Sequence, residues 1–369
     1  MSAAVGTEIP FNALGRATAA VRPALDAAIA RVVDSGWYVL GPEHDAFEAE
    51  LAAYVGVHEA IGVGNGTDAL QLALTALGVD RGDAVLTAAN AGGYASTAAR
   101  SIGAVPVYAD VDASSLLLTV ATLEDAITHL DAAPKAVVVT HLFGMMAEVA
   151  SIVEWAHARG IAVLEDCAQA LGARTDGRMA GSVADVATAS FYPTKNLGAL
   201  GDGGAVLTSR PELAVAAREL RQYGWESKYR ASRPAGRNSR LDELQAAILR
   251  VKLPLLDGWN ERRRELHSRF QAAAPSSVRF VHSATERFTA HLCVVEVDDR
   301  AGARDLLVDR GVRTDVHYPI PDHLQPLVAG EAPALPVTER AADHILSLPL
   351  FPELTEQEID RVCAALEEL

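Results

Sequence analysis

The stretch IAVLEDCAQALGA, residues 161–173, begins as a short apolar run and ends on two acidic residues, Glu165 and Asp166. From about residue 58 to residue 208, similar apolar runs such as DAVLTA and KAVVVT alternate with amphipathic segments. The runs are continuously apolar rather than alternating, which is typical of parallel strands buried on both faces. The pattern predicts an α/β fold, with a mostly parallel sheet sandwiched by helices.

The chain after Pro254 follows a different pattern. Residues 255–274, LLDGWNERRRELHSRFQAAA, predict a long charged helix, and residues 289–298 predict a strand. A later helix is expected to end near Gly311, and Thr355 with Glu358 predicts a capping box at the start of the last helix. We therefore expect a large domain over residues 1–254 and a smaller α+β domain over residues 255–369, with residues 1–20 packed near the small domain.

Composition narrows the classes of partner and compartment. The net charge of −16 argues against nucleic acid and anionic membranes as partners. No run of about 18 apolar residues predicts a membrane span, and the first residues lack the pattern of a signal peptide. Three scattered cysteines fit neither a disulfide framework nor a zinc site, so we expect a cytoplasmic protein without a metal.

One of only four lysines, Lys195, follows a second apolar strand, DVATASFY, residues 185–192. In open α/β sheets, ligands bind at the carboxyl ends of the strands, so Lys195 and Asp166 are expected to meet in one crevice. Pyridoxal phosphate requires both groups: an amine that forms a Schiff base and an acid that keeps the ring nitrogen protonated. The alternatives are a solvated loop lysine and a structural carboxylate.

A phosphate cradle is predicted in GVGNGTDAL, residues 62–70. Gly64 and Gly66 allow close approach of the backbone, and a helix expected to start at Thr67 would offer free N–H groups to an anion. The glycine spacing is not that of a dinucleotide-binding fingerprint, and no P-loop is present. The structural alternative is a simple helix-initiating turn.

Eight segments in series resemble one known family, the DegT-type pyridoxal phosphate-dependent nucleotide-sugar aminotransferases of fold type I. They are SGWYVLGPEHDAFEAELAAYVG, GNGTDALQLAL, HLFG, LEDCAQALGA, SFYPTKNLGALGDGGAVLT, NSRLDELQAAIL, HYPIPDHLQP and LSLPLFPELT. The resemblance covers nearly the whole chain. It implies transamination of a nucleotide-linked keto-sugar, with L-glutamate as the amino donor, by a homodimer with shared active sites.

The resemblance also implies roles for individual residues. Lys195 resembles the Schiff-base lysine, and Asp166 resembles the partner of the pyridine nitrogen. The other cofactor-binding residues that it implies are Gly66, Thr67, Gln169, Ser190 and, from the other subunit, Asn238. Many family members carry an aromatic ring soon after the asparagine of the AANAGGYAS segment, whereas here the ring arrives only at Tyr94. We expect Tyr94 to stack on the cofactor because two glycines let the loop bend.

The substrate is expected to contact several further residues. His317 and Tyr318 resemble sugar-facing residues, and the basic segment 221–237 is predicted to clamp the diphosphate of a nucleotide sugar. The clamp residues are Arg221, Lys228, Arg230, Arg233 and Arg237. Tyr192, three residues before Lys195, resembles the tyrosine of members that act at C3 of a 3-keto-6-deoxyhexose. This favours a dTDP-3-keto-6-deoxyhexose as the substrate.

Several alternatives remain open at this point. A 4-keto-sugar aminotransferase differs only in the position of the ketone, and a regulatory protein that binds the cofactor without turnover would keep the same motifs. A keto-sugar dehydratase of the same family would carry histidine in place of Lys195, so Lys195 argues against it. A metal site at His317 and His323 is disfavoured because they lie six residues apart with prolines between them.

Overall fold

A computed structural model describes residues 8–128, 130, 132–328 and 333–369. Residues 1–7 of the predicted large domain lie outside the described residues. The α-helices are α1 (Leu14–Ala20), α2 (Arg22–Ser35), α3 (Pro42–Val55), α4 (Gly66–Ala76), α5 (Tyr94–Ser101), α6 (Val120–Ile127), α7 (Val149–His157), α8 (Pro211–Leu220), α9 (Glu243–Lys252), α10 (Leu256–Ala273), α11 (Arg300–Asp309), α12 (Pro336–His344) and α13 (Glu356–Leu366). The strands are β1 (Glu59–Val63), β2 (Ala84–Ala88), β3 (Val105–Ala109), β4 (Ala136–Thr140), β5 (Ala162–Asp166), β6 (Arg174–Thr175), β7 (Arg178–Met179), β8 (Val186–Ser190), β9 (Gly204–Thr208), β10 (Trp225–Ser227), β11 (Arg230–Ala231), β12 (Arg279–Phe280), β13 (Cys293–Glu296) and β14 (Ile345–Leu348).

The large sheet has seven strands in the order β1-β9-β8-β5-β4-β2-β3. The pairs from β8 to β3 are parallel, whereas β9 runs antiparallel to both of its neighbours. Every residue of β4 is buried, as expected for a strand covered by helices on both faces. The predicted α/β fold with a mostly parallel, helix-sandwiched sheet is confirmed.

The C-terminal part of the chain builds a second, smaller sheet. Strands β12, β13 and β14 pair antiparallel, and α10, α11 and α13 contribute to the apolar cluster that covers them. The N-terminal segment joins this part, since Ile9 bridges to Val312 and Arg16 pairs with Glu358 at 2.7 Å. The boundary at residue 254 stays a prediction.

Three helix starts test the capping predictions. The Thr355 and Glu358 capping box at α13 is confirmed. Helix α4 begins at Gly66 rather than Thr67, because Asn65 caps it by accepting a hydrogen bond from the N–H of Asp68. The sequence also spaces Thr122 and Asp125 as a capping pair for α6, and this prediction was wrong, because Thr119 is the cap and Thr122 completes its box.

Features relevant to compartment are few. In the described ranges of the chain, no helix is both long enough and apolar enough to cross a bilayer. Cys167, Cys293 and Cys363 are free thiols. Burial raises the pKa of Cys167 and Cys293, so these two thiols stay protonated near neutral pH.

Candidate active site

A cavity of about 550 Å³ opens at the carboxyl ends of β5 and β8. Parallel strands present their carboxyl ends at one edge of the sheet, which explains why residues distant in sequence meet there. The predicted residues that line the cavity are Gly66, Thr67, Tyr94, Asp166, Gln169, Ser190, Tyr192, Lys195, His317 and Tyr318. The cavity therefore collects the residues that were predicted to act on the cofactor within one chain.

Asp166 is the last residue of β5 and is 5% exposed. Its carboxylate accepts a hydrogen bond from the N–H of Ala168 at 3.0 Å. Burial raises the pKa of Asp166, while this hydrogen bond and the nearby Lys195 act in the opposite direction. A buried carboxylate of this kind is stabilised in its charged form by a cationic partner, such as a protonated ring nitrogen.

Lys195 lies in the turn that follows β8, and its backbone N–H donates to the carbonyl of Tyr192 at 2.8 Å. Its amine has no hydrogen-bond partner among the described residues. Burial lowers the pKa of the Lys195 amine to about 8, and the Asp166 carboxylate partly offsets that effect. A lysine with this pKa is partly neutral near pH 7, as a nucleophile or a base must be.

The start of α4 forms a narrow cradle against the end of β8. A Cβ atom at Gly66 would lie 2.7 Å from Cβ of Ser190, so only glycine permits this approach. The Asn65 side chain accepts from the N–H of Asp68. The N–H groups of Gly66 and Thr67 have no acceptor in the part of the chain that is described. Two free N–H groups beside the Ser190 hydroxyl can hold a phosphate.

The face of the cavity above Asp166 is built from Gln169 and two tyrosines. The Gln169 oxygen accepts from the N–H of Phe143 at 2.5 Å, so its amide nitrogen is left to donate to the Tyr318 hydroxyl at 3.2 Å. A Cβ atom at Gly92 would lie 2.7 Å from the Tyr318 ring, so this glycine makes room for Tyr318. Tyr94 is 48% exposed and packs edge-to-face against Tyr318.

The outer part of the cavity contains His317, Tyr192 and the N-terminal segment. The His317 ring stacks on Phe11 with a centroid distance of 5.6 Å, and its Nδ1 atom lies 3.0 Å from the Ser347 hydroxyl. Tyr192 is 53% exposed at the mouth. These groups offer rings and hydrogen-bonding atoms of the kind that bind a sugar. His323 contacts Glu339 instead, away from His317.

Neither Asn238 nor any residue of the predicted diphosphate clamp lines the cavity of its own chain. Asn238, Lys228, Arg230 and Arg233 are exposed, and Arg230 pairs with Glu226 at 2.7 Å. The inclusion of Arg221 in the diphosphate clamp was wrong. Its side chain is 7% exposed, pairs with Glu48 and donates to the carbonyl of Gly62 at 2.9 Å, so it is part of the scaffold.

Sequence reasoning missed His291, which lines the cavity, and Asn196, which binds it from behind the wall. His291 lies just before β13, and its Nδ1 atom is 2.8 Å from the Asn196 side-chain oxygen. The only available signal was that Asn196 directly follows Lys195. The same network includes Asn260, which lies on α10 and binds Asn196 at 2.7 Å.

These observations fit pyridoxal phosphate. The amine of Lys195 has no hydrogen-bond partner in the described chain, the buried Asp166 carboxylate would be stabilised by a cation, and the cradle at Gly66 has free N–H groups. Lys195 would hold the aldehyde carbon, Asp166 the ring nitrogen, and Gly66, Thr67 and Ser190 the phosphate. All of these groups line one cavity.

Comparison with known proteins agrees with this geometry. Residues 21–367 match the model of the DegT/DnrJ/EryC1/StrS aminotransferase family. The chain is 43% identical to the erythromycin biosynthesis sensory transduction protein EryC1 of Saccharopolyspora erythraea, over 98% of this chain and 99% of that protein. It is also 43% identical to the dTDP-3-amino-3,4,6-trideoxy-alpha-D-glucose transaminase of Streptomyces venezuelae, over 98% and 96% of the two chains.

A solved structure shows the same fold. The crystal structure of S. venezuelae DesV in complex with a ketimine intermediate superposes with a TM-score of 0.94 at 42% identity, over 98% of each chain. The cofactor of the present protein is pyridoxal phosphate, and its reaction class is transamination. The chain belongs to the DegT/DnrJ/EryC1/StrS family of sugar aminotransferases.

Proposed function

We propose that this enzyme transfers the amino group of L-glutamate to C3 of a dTDP-linked 3-keto-6-deoxyhexose. The observation that carries the proposal is the 43% identity, over 98% of the chain, to a transaminase named for a dTDP-3-amino sugar. Tyr192 supports the assignment to C3 because it resembles the tyrosine of members that act at C3 and lines the same cavity as Lys195. The three cysteines favour the cytoplasm as the location.

The chain's own residues divide the chemical work. Bound pyridoxal phosphate supplies a conjugated ring that takes up the electron pair left when a proton leaves the amino-acid carbon. Asp166 keeps the ring nitrogen protonated, and its burial strengthens that interaction. Lys195, with a pKa of about 8, accepts the proton from Cα of the amino donor and delivers it to C4′ of the cofactor.

The anionic groups of the substrates require cations that one chain does not place in the cavity. Among the described lining residues, Lys195 is the sole lysine or arginine, whereas Asp166, Asp202 and Asp315 are acidic. We infer that a second copy supplies Lys228, Arg230 and Asn238 to this cavity. In that homodimer, the two active sites lie across the interface and each uses residues of both subunits.

Exposed aromatic side chains support such an interface. Tyr229 is 78% exposed, Trp37 59% and Tyr38 50%, and the rings of Tyr223, Trp225 and Tyr229 pack together beside Lys228. Large exposed aromatic residues in clusters are typical of surfaces that another protein covers. Trp225 and Tyr229 share the β10–β11 hairpin with Lys228 and Arg230, so dimer formation would order the aromatic and the basic residues at once.

The test is product analysis. The enzyme is incubated with L-glutamate and either the dTDP-3-keto or the dTDP-4-keto 6-deoxyhexose, and the products are identified by NMR. We expect nitrogen at C3 and a much slower reaction of the 4-keto isomer. A C4 product that forms faster than any C3 product would overturn the assignment to C3 but leave the transaminase chemistry intact.

A second candidate is a cofactor-binding regulator without turnover, because one relative with 43% identity is named a sensory transduction protein. The absorbance spectrum separates the two. Addition of L-glutamate should convert the spectrum of the lysine-bound cofactor to that of pyridoxamine phosphate. A spectrum that does not change with glutamate or any other amino acid would favour the regulator.

A further inference from the structure

His291 is a buried histidine of the cavity wall to which the proposed reaction assigns no task. It is 8% exposed, and its backbone carbonyl lies 3.4 Å from Arg263 Nη1. Its pKa lies well below the usual value, because burial and the cations Lys195 and Arg263, together with His317, disfavour a further positive charge. The ring is therefore neutral, and one of its two nitrogens is unprotonated.

The hydrogen-bond network determines which nitrogen carries the proton. Asn260 donates its amide nitrogen to the carbonyl of Leu171 at 3.0 Å, which leaves its oxygen to accept from Asn196. The Asn196 amide nitrogen also donates to the carbonyl of Thr289 at 3.1 Å. The oxygen of Asn196 must then be the atom that faces His291, and an oxygen there requires a proton on Nδ1.

The other nitrogen, Nε2, is consequently a bare acceptor. It has no partner among the described residues, and it is not sealed from the cavity that His291 lines. His291 and Lys195 line the same cavity. The Lys195 amine has no hydrogen-bond partner in the described chain. Asn196, which follows Lys195 in the sequence, is the residue that orients the His291 ring.

We propose that His291 is a positioning residue for Lys195: both line one cavity, and the free amine turns to donate a hydrogen bond to the Nε2 atom of the histidine. The inference rests on the proposed role of Lys195 as the reactive amine. A neutral acceptor suits that role, because it orients the ammonium without adding the full charge of a second carboxylate beside Asp166. The lysine is held in place after it leaves the cofactor and can still give up its proton.

Two substitutions separate the two nitrogens of the ring. In His291→Asn, the amide nitrogen can replace Nδ1 toward Asn196, but no acceptor reaches the position of Nε2. In His291→Gln, the amide oxygen can replace Nε2, while the bond to Asn196 is lost. A hydrogen bond to the charged form of an amine raises its pKa, so the loss of the acceptor must lower the pKa of Lys195.

The measurement is an NMR titration of the full-length chain labelled with 13C and 15N in lysine. The four lysines give four side-chain signals, which Lys→Arg variants assign. The chain is titrated with pyridoxamine phosphate, which leaves the amine of Lys195 free, and again without the cofactor. In His291→Asn, we expect the Lys195 pKa to fall by about one unit, and in His291→Gln by less than about 0.3 unit. Lys252, in the same spectra, should not shift.

The outcomes are decisive in either direction. An unchanged Lys195 pKa in a folded His291→Asn protein would overturn the proposal. So would a protonated Nε2 in wild-type protein, as measured from the 15N shift of the His291 ring, and this measurement needs no variant. If the chain fails to bind pyridoxamine phosphate, the proposed function fails, but the titration without cofactor still tests the contact.

Discussion

The wall of the cavity and the basic segment 221–237 differ in how far their charged side chains are exposed to solvent. In the wall, Asp166 is buried and Lys195 is half-buried, and burial moves both of their pKa values toward neutrality. In the segment, Lys228 and Arg230 are exposed: the Lys228 amine lies over the Tyr229 ring, and the Arg230 guanidinium pairs with Glu226. The wall therefore prepares groups to react, while the segment presents stable charges that can recognise an anion.

This contrast teaches how one site can be divided between two chains. The reactive pair needs exact placement relative to the sheet, and strands β5 and β8 provide it from a rigid core. The recognition charges need only reach a flexible diphosphate, which a hairpin at a subunit interface can do. The predictions below test this division, beginning with the largest expected effect.

Lys195→Arg should reduce transamination by at least about 10⁴-fold, because the guanidinium neither forms the linkage to the cofactor nor accepts a proton near pH 8. Turnover with L-glutamate and the keto-sugar is the measurement, and borohydride reduction of wild-type enzyme should place the cofactor on Lys195. Lys135→Arg is the matched control and should retain full activity. A borohydride label on Lys135, Lys228 or Lys252 would show that Lys195 is not the lysine that binds the cofactor.

Asp166→Asn should slow both half-reactions by roughly 10²–10³-fold, since an amide cannot stabilise a protonated ring nitrogen. The asparagine side chain has nearly the same shape as the aspartate, so the unfolding temperature should stay close to that of the wild type. Single-turnover absorbance with L-glutamate measures the first half-reaction. Asp202→Asn removes an exposed carboxylate of the same cavity and should cost much less. Equal losses in the two variants would mean that burial of Asp166 has no special role.

Mixed dimers test whether the two regions meet across an interface. Lys195→Ala and Asn238→Asp should each inactivate homodimers, yet a mixture should recover roughly one quarter of wild-type activity, because half of the dimers then contain one intact site. Mass spectrometry of the two variants confirms subunit exchange. No recovery in an exchanged mixture would place Asn238 in its own chain's site or outside the site altogether.

The parts that the sequence predicted share a physical cause. Asp166 and Lys195 each follow a continuously apolar strand, so their meeting at the sheet edge follows from topology. His291 could not be found in this way, because its ring is oriented by Asn196, which lies 95 residues away. Arg221 was misassigned for a related reason. A run of basic residues does not reveal which member turns inward, and Arg221 reaches Glu48, 173 residues away.

The capping of α6 shows a local version of the same limit. The spacing of Thr122 and Asp125 fits a cap, but Thr119 with Thr122 fits equally well. The choice depends on where the preceding chain turns, since Thr119 has extended backbone angles and Thr122 does not leave the helix. Composition at single positions could not decide between two overlapping patterns.

The smallest effect is expected for Arg230→Ala, and its value lies in what it leaves unchanged. The Arg230 side chain is 79% exposed and pairs with Glu226 four residues earlier, and exposed pairs of this kind contribute at most about 0.5 kcal/mol to stability. The unfolding free energy should therefore stay within that range. If the guanidinium reaches the diphosphate in the partner's cavity, its loss should raise the KM for the nucleotide sugar by roughly threefold to tenfold with little change in kcat.

Arg22→Ala breaks a comparably exposed pair, Arg22 with Asp26 at 2.6 Å, and should change neither KM nor stability. An equal rise in KM in both variants would mean that the effect at Arg230 comes from the general surface charge. The recognition role of the hairpin would then rest on Lys228 alone.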